Sequence, residues 1–146
     1  MATVELFYQR FNMKNPIIFI QPIDLYKADV LIVCDASQEG TVKWLKKQKV
    51  RKNLIDWIKT DKEMFEILEK NEAVFYWNEK VKGNMILLKN YEDRWEFWEA
   101  LTHEIHHLVF EMSKRKMMLE EMEAQAYLFE HLFHSIRRKL RKIDKI

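Results

Sequence analysis

The sequence predicts an α+β fold, in which a small antiparallel sheet packs on long C-terminal helices. Short apolar runs before residue 90 are typical of strands, whereas later segments space their apolar side chains three and four residues apart, as helices do. Only two glycines and two prolines occur in 146 residues, which favours long helices with few tight turns. Because 48% of the residues are hydrophobic, we expect one core and a single domain over residues 1–146.

The N-terminal part is predicted to form strands. Thr3–Phe11 alternates loosely between polar and apolar residues, and Ile17–Ile20 is rich in β-branched side chains. Pro16 and Pro22 flank the second run, which indicates an edge strand because proline cannot donate to a sheet ladder. Val30–Val33 is continuously apolar, as expected for a buried strand.

The middle of the chain changes from helical to strand patterns. Thr41–Thr60 has helical spacing, and Thr60–Glu63 fits a capping box that would begin a second, short helix. Ala73–Trp77 and Asn84–Leu88 are then predicted to form two strands of a hairpin that turns near Gly83.

Two long helices are predicted to follow. Asn90 is a suitable N-cap for the first of them, which carries an apolar stripe of Trp98, Leu101, Ile105, Leu108 and Met112. The second helix is expected over about Met117–Ile143, with heptad-like spacing of Leu119, Met122, Ala126, Phe129, Phe133, Ile136, Leu140 and Ile143. We expect the second stripe to pack on the first helix; a dimer seam is the alternative.

Several features point to a cytoplasmic protein. Cys34 is the only cysteine, so no internal disulfide can form, and a reducing compartment is expected. Met1–Arg10 lacks the apolar run of a signal peptide. No stretch approaches the ~20 apolar residues that a membrane-spanning helix needs. The net charge of +2 neither indicates nor excludes nucleic acid as a partner.

The segment His103-Glu104-Ile105-His106-His107 has the HExxH spacing of a zinc site. His103 and His107 are four residues apart, so a helix projects both rings from one face, where two ring nitrogens can bind one Zn²⁺ at about 2.0–2.1 Å. Glu104 is the predicted catalytic base, which would take a proton from the attacking water and pass it to the leaving amine. His106 points about 100° away from His107, so it is not predicted as a ligand. The alternative is a pair of surface histidines without a metal.

A catalytic zinc site usually has three protein ligands. Glu111 lies about 12 Å beyond His103 along a helix, which is too far to share the ion. The remaining carboxylates lie on the last helix, at Glu120, Glu121, Glu123 and Glu130. A third ligand from that helix requires the chain to turn back near Ser113–Lys116, a polar segment without glycine.

The motif resembles a known arrangement. HExxH followed by Glu123-Ala124-Gln125-Ala126-Tyr127 resembles the HExxH…ExxA pattern of gluzincin-type metallopeptidases, especially small phage and mobile-element proteins and the ImmA/IrrE family. The resemblance covers residues 84–136. It implies a minimal zincin-like core over residues 84–143, with Glu123 as the third zinc ligand and Glu121 as the alternative. It further implies that Asn84–Leu88 is the edge strand along which an extended substrate pairs.

Two functions remain open at this point. The first is a zinc-dependent metallopeptidase-like protein that hydrolyses peptide bonds in a protein or peptide substrate. Tyr127, His131 or His134 could donate to the oxyanion, although such residues are more often surface groups. The second is a non-catalytic mobile-element protein that binds a host protein or nucleic acid and keeps the metal as a brace. Two basic clusters, Lys43–Lys52 and Arg137–Lys142, suggest the second function.

Overall fold

The computed structural model describes residues 16–23, 26–70, 73–89, 94–115 and 121–144. The α+β class is confirmed, with strands β1 (Ile17–Ile23), β2 (Ala28–Cys34), β3 (Ala73–Asn78) and β4 (Gly83–Leu88). The helices are α1 (Gln38–Lys47), α2 (Lys52–Thr60), α3 (Glu63–Lys70), α4 (Arg94–Arg115) and α5 (Met122–Asp144).

The described residues form two compact units. One lies within Lys14–Asn90 and holds the sheet with α1 to α3, and the other lies within Tyr91–Ile146 and holds α4 and α5. The expectation of a single domain stays a prediction. The strand expected at Thr3–Phe11, the cap at Asn90 and residues 116–120 lie outside the described residues.

The sheet is mixed, with the strand order β1-β2-β4-β3. β1 pairs with β2 and β3 pairs with β4 in antiparallel fashion, but β2 and β4 are parallel, with Leu31 opposite Met85. The prediction of an antiparallel sheet is therefore wrong at its centre. The chain leaves β2 through three helices before the β3–β4 hairpin, and such a long crossover allows parallel pairing.

This order corrects the role expected for Asn84–Leu88. β4 has a hydrogen-bonded neighbour on each side, so it is an interior strand that has no free edge for a substrate. The edges of the sheet are β1 and β3. Pro22 lies on edge strand β1, as its missing N–H predicts.

The sheet unit is built around its two central strands. Val30–Val33 is at most 2% exposed and Met85–Leu88 is fully buried, as expected for parallel neighbours that are covered on both faces. α1 to α3 add further buried side chains to the same cluster, including Leu45, Leu54, Trp57, Ile58, Met64 and Leu68.

The helical region predicted over Thr41–Thr60 is confirmed as two helices, α1 and α2. Ser37 caps α1, since its hydroxyl oxygen accepts from the N–H of Gly40 at 3.0 Å. The capping box at Thr60 is wrong, because Thr60 is the last residue of α2. Its hydroxyl donates back to the carbonyl oxygens of Asp56 and Trp57, at 2.8 and 3.3 Å.

The two C-terminal helices pack against each other in antiparallel orientation. Trp98 on α4 meets Phe133 on α5, whereas His106, two turns further along α4, meets Phe129, one turn earlier on α5. The predicted reversal of the chain after the motif is thus confirmed, although α4 continues to Arg115. None of the described helices is both long enough and apolar enough to cross a bilayer.

The apolar stripe predicted for the last helix is partly wrong. Phe129 and Phe133 do face α4, but Met122 is 81% exposed and Ile143 is 48% exposed. Ile136 and Leu140 are buried as predicted, and Leu128 and Leu132, which were not predicted, complete the buried side of α5. Apolar residues spaced three or four apart can lie on either of two neighbouring faces of a helix. The periodicity of the sequence therefore did not distinguish the predicted stripe from the side of α5 that is buried.

Candidate metal centre

The two predicted metal-binding histidines lie side by side on the surface of α4. His103 Nε2 and His107 Nε2 are 3.0 Å apart, and the ring centroids are 4.7 Å apart. Two nitrogens that share a tetrahedral zinc at about 2.05 Å lie about 3.3 Å from each other. The rings are thus within a few tenths of an ångström of the spacing that a shared ion requires.

The pair results from the pattern of the whole helix. Leu101, Ile105 and Leu108 are fully buried, and the histidines project from the opposite, exposed side. Because α4 contains neither glycine nor proline, residues four apart remain neighbours on one face. The exposed rings keep their nitrogens available to a metal.

Glu104 differs from the histidines in its burial. It is only 6% exposed, whereas both His103 and His107 are exposed. A glutamate is rarely this buried in a folded protein unless it is paired. On a regular helix Glu104 lies about 60° from His107 around the axis, on the side that leads to the buried face.

The histidine pair opens onto a cleft between α4 and α5. The cleft has a volume of about 620 Å³. Its wall is mostly apolar, and the residues that line it are His103, His106, His107, Val109, Phe110, Gln125, Ala126 and Phe129. Clefts of this size accommodate small ligands or a few side chains of a peptide.

His106 is the site residue that the sequence did not predict. It lines the same cleft as the other two histidines, and its ring stacks on Phe129 with centroids 4.3 Å apart and planes 25° from parallel. Its angular offset from His107 correctly indicated that it is not beside the pair. Its contact with α5 depends on where α5 crosses α4. The spacing of residues within α4 gives no information about that crossing.

The described residues do not bring a third ligand to the pair. Within the described ranges, no three side chains of His, Cys, Asp or Glu are grouped as metal ligands. Glu123 lies in the first turn of α5 and is exposed, and Glu121 is exposed just before that helix. Ala126, one turn after Glu123, does line the cleft, so the ExxA segment lies at the interface of α4 and α5.

The candidate oxyanion donors lie elsewhere on α5. Tyr127 is 69% exposed and lines a separate surface depression together with Glu130, His131, His134 and Arg138. His134 Nε2 is 3.9 Å from a carboxylate oxygen of Glu130, one turn away. The cleft that contains His103 and His107 is lined by none of these five residues.

Comparisons with known proteins leave the family open: the chain matches no protein-family model, no curated protein sequence and no solved structure.

Proposed function

We propose that this chain is a zinc-dependent metallopeptidase-like protein that hydrolyses peptide bonds. The proposal rests on one observation, the 3.0 Å separation of His103 Nε2 and His107 Nε2 at the mouth of a largely apolar cleft. Imidazole nitrogens are preferred zinc ligands, and an open cleft beside them leaves room for an extended peptide.

Glu123 is the proposed third ligand, with Glu121 as the alternative. Glu123 is one turn from cleft-lining Ala126, and exposure leaves its carboxylate free to change rotamer. The main-chain carbonyl oxygen of Glu121 accepts a hydrogen bond from the N–H of Gln125 at 3.1 Å, which fixes the backbone of Glu121 at the start of α5. Two nitrogen donors and one carboxylate match the donor set of a peptidase zinc site.

Glu104 is the proposed catalytic base. A bound zinc ion would supply Lewis acidity, polarising the scissile carbonyl and making water a nucleophile at neutral pH. Glu104 would take one proton from the attacking water as the new C–O bond forms, and would deliver it to the nitrogen as the C–N bond breaks. Glu104 is only 6% exposed, and in such a low-dielectric setting its interaction with the proton that it transfers is stronger than in water.

The same burial favours a second candidate function, a metal-braced protein that binds a partner without cleaving it. If the Glu104 carboxylate only supports the interior of its unit, it never reaches a substrate carbonyl. The two candidate functions share the histidine pair as metal ligands and differ in the role of Glu104. Under both proposals Cys34, the only cysteine, is buried and cannot form an internal disulfide, which suits a cytoplasmic setting.

Elemental analysis of the purified chain tests the metal site. We expect about one zinc per chain after zinc is supplied at neutral pH, and a loss of that zinc in the double variant His103→Ala/His107→Ala. The matched control is His131→Ala/His134→Ala, which also removes two exposed histidines from a helix and should keep the metal. A parent protein without zinc, or equal loss from both double variants, would contradict the proposal.

The variant Glu104→Gln then separates the two candidates. Peptide hydrolysis by the zinc-loaded parent should fall by at least about 100-fold in this variant if Glu104 transfers the proton, while zinc content is unchanged. Hydrolysis that is equal in parent and variant would remove Glu104 from the mechanism. A zinc-loaded parent that cleaves no member of a peptide library would favour the metal-braced protein.

A further inference from the structure

The most basic surface of the sheet unit is assembled from two separate parts of the chain. The first is the end of α1, the connection that follows and the start of α2. Between Gly40 and Ile55 this stretch contains no Asp or Glu, and its cations are Lys43, Lys46, Lys47, Lys49, Arg51 and Lys52. The second is the β3–β4 turn, which adds Lys80 and Lys82. All eight side chains are exposed.

The fold holds these two parts together. Arg51 donates from Nη2 to the carbonyl oxygen of Lys82 at 3.1 Å, which ties the start of α2 to the hairpin turn. Gly83 lies against the Trp57 ring so closely that a Cβ there would be 2.8 Å from Cζ3. In the turn itself, the side-chain oxygen of Asn78 accepts from the N–H groups of Lys80 and Val81, at 3.0 and 3.3 Å. The lysines of the hairpin are therefore fixed beside those of the helices.

Local stability explains Lys46 and Lys47, which lie in the last turn of α1, but it does not explain Lys49, Lys52 or Lys82. Lys52 is the first residue of α2, at the end of the helix dipole that disfavours positive charge, and no acidic residue occupies that first turn. Lys49 and Lys82 have positive φ angles of 55° and 51°, where glycine or asparagine is preferred. Among the described residues, no ion pair involves any lysine of this surface.

The chemistry of the surface indicates its ligand. Exposed lysines and an arginine, next to the exposed amides of Gln48 and Asn53, are the groups that contact nucleic-acid phosphates. The large exposed apolar side chains of the described residues all lie at residue 95 or beyond, so this surface lacks the apolar anchors of a membrane-inserting or protein-binding face. It also lacks exposed aromatic rings, on which the bases of a single strand would stack.

We propose that this basic surface, defined by Lys43–Lys52 with Lys80 and Lys82, binds the phosphate backbone of a nucleic-acid duplex without sequence preference. The basic run at the end of α5 is a weaker candidate. Arg137, Arg138 and Lys139 follow one another on a helix, so they point in three directions about 100° apart. The proposal does not depend on zinc or on hydrolysis.

Fluorescence anisotropy with labelled duplex DNA, duplex RNA and single-stranded DNA tests the proposal on the full chain. The parent should bind a duplex at low salt, more tightly than the single strand, and the two duplexes distinguish DNA from RNA as the source of the phosphates. The triple variant Lys46→Glu/Lys47→Glu/Lys49→Glu should weaken duplex binding at least tenfold. The slope of log K against log salt should fall in magnitude by about 2.7, since each lost phosphate contact removes about 0.9.

The matched control is Arg138→Glu/Arg141→Glu/Lys142→Glu, which changes the net charge equally and should retain duplex binding. Circular dichroism checks that each variant is folded, and Lys46→Gln/Lys47→Gln/Lys49→Gln replaces the first triple if it is not. Absence of duplex binding by the parent, or equal weakening by both triples, would overturn the proposal. Displacement of the duplex by polyglutamate at equal charge concentration would also overturn it, in favour of an acidic polypeptide.

Discussion

The sheet unit and the helix-pair unit differ in where their polar chemistry lies. In the sheet unit Val30–Val33 and Met85–Leu88 of the central strands are apolar and buried, and most of the charged groups lie on the helices and in the turns. In the helix pair the polar candidates lie on the helices themselves, at His103, Glu104 and His107. The central strands of the first unit thus contribute stability with little charge, whereas in the second unit one helix carries both, on different faces.

This difference has a physical cause. Along Val30–Val33 and Met85–Leu88 the central strands are buried on both faces, and residues in such positions must be apolar or fully hydrogen-bonded. A helix on the surface buries only one side, and the opposite side can carry ligands without loss of packing. We therefore expect substitutions in the sheet to change folding stability and substitutions of the exposed histidines to change metal binding.

The largest expected effect is at Leu87 in β4, which is fully buried between β2 and β3. Leu87→Ala should lower the free energy of unfolding by about 2–5 kcal/mol, because the lost contacts leave a cavity that the sheet cannot close. Urea denaturation measures this change. The control Ile143→Ala, at a site that is 48% exposed, should cost less than about 1 kcal/mol. Equal costs would show that the sheet is not the stable part of the molecule.

Gly83 should show the next largest effect. A Cβ at this position would lie 2.8 and 3.2 Å from two ring atoms of Trp57 and 3.3 Å from Leu54 Cδ1. Trp57 is 7% exposed and has little room to move, so Gly83→Ala should cost about 1–3 kcal/mol of stability. In a double-mutant cycle, Gly83→Ala should cost less when Trp57 is already replaced by leucine. Additive costs would contradict the contact.

Tyr76, on edge strand β3, should make the stability of the sheet unit depend on pH. Its hydroxyl is buried and has no hydrogen-bond partner among the described residues. Burial, followed by the charges of Asp61 and Glu63, raises the pKa of Tyr76 above its ordinary value of 10.0. The folded state therefore binds the Tyr76 proton more tightly than the unfolded state does. The contribution of this group to the free energy of unfolding is fully present below about pH 10, and it is lost as the pH rises through the higher pKa of the folded state.

Tyr76→Phe should therefore remove part of the alkaline loss. At neutral pH the variant should be within about 1 kcal/mol of the parent or slightly more stable, since an unsatisfied buried hydroxyl is lost. Chemical denaturation at neutral pH and above pH 10 measures both values. A variant that loses stability at high pH as steeply as the parent would show that Tyr76 does not titrate in this way.

The sequence predicted features that depend on the local spacing of residues better than features that depend on how helices pack on the sheet or on each other. The buried strand at Val30–Val33 and the histidine pair were both predicted, because a continuous apolar run and an i, i+4 spacing determine them directly. The parallel pairing of β2 with β4 was missed, since it depends on how three helices cross the sheet. The stack of His106 on Phe129, and the placement of Glu123 relative to the pair, depend in the same way on the crossing of α4 and α5.

The smallest expected effect concerns the histidine pair without metal. Both rings are exposed, so water competes for the hydrogen bond between them. In metal-free protein, His103→Ala/His107→Ala should therefore change the free energy of unfolding by less than about 0.5 kcal/mol. With zinc supplied, the parent should melt at a higher temperature and the variant should not, because only the parent gains stability from ligand binding. Thermal melts with and without chelator measure this difference. A large loss without metal would mean that the pair belongs to the packing of α4, and the separation of stability from site chemistry on this helix would then be wrong.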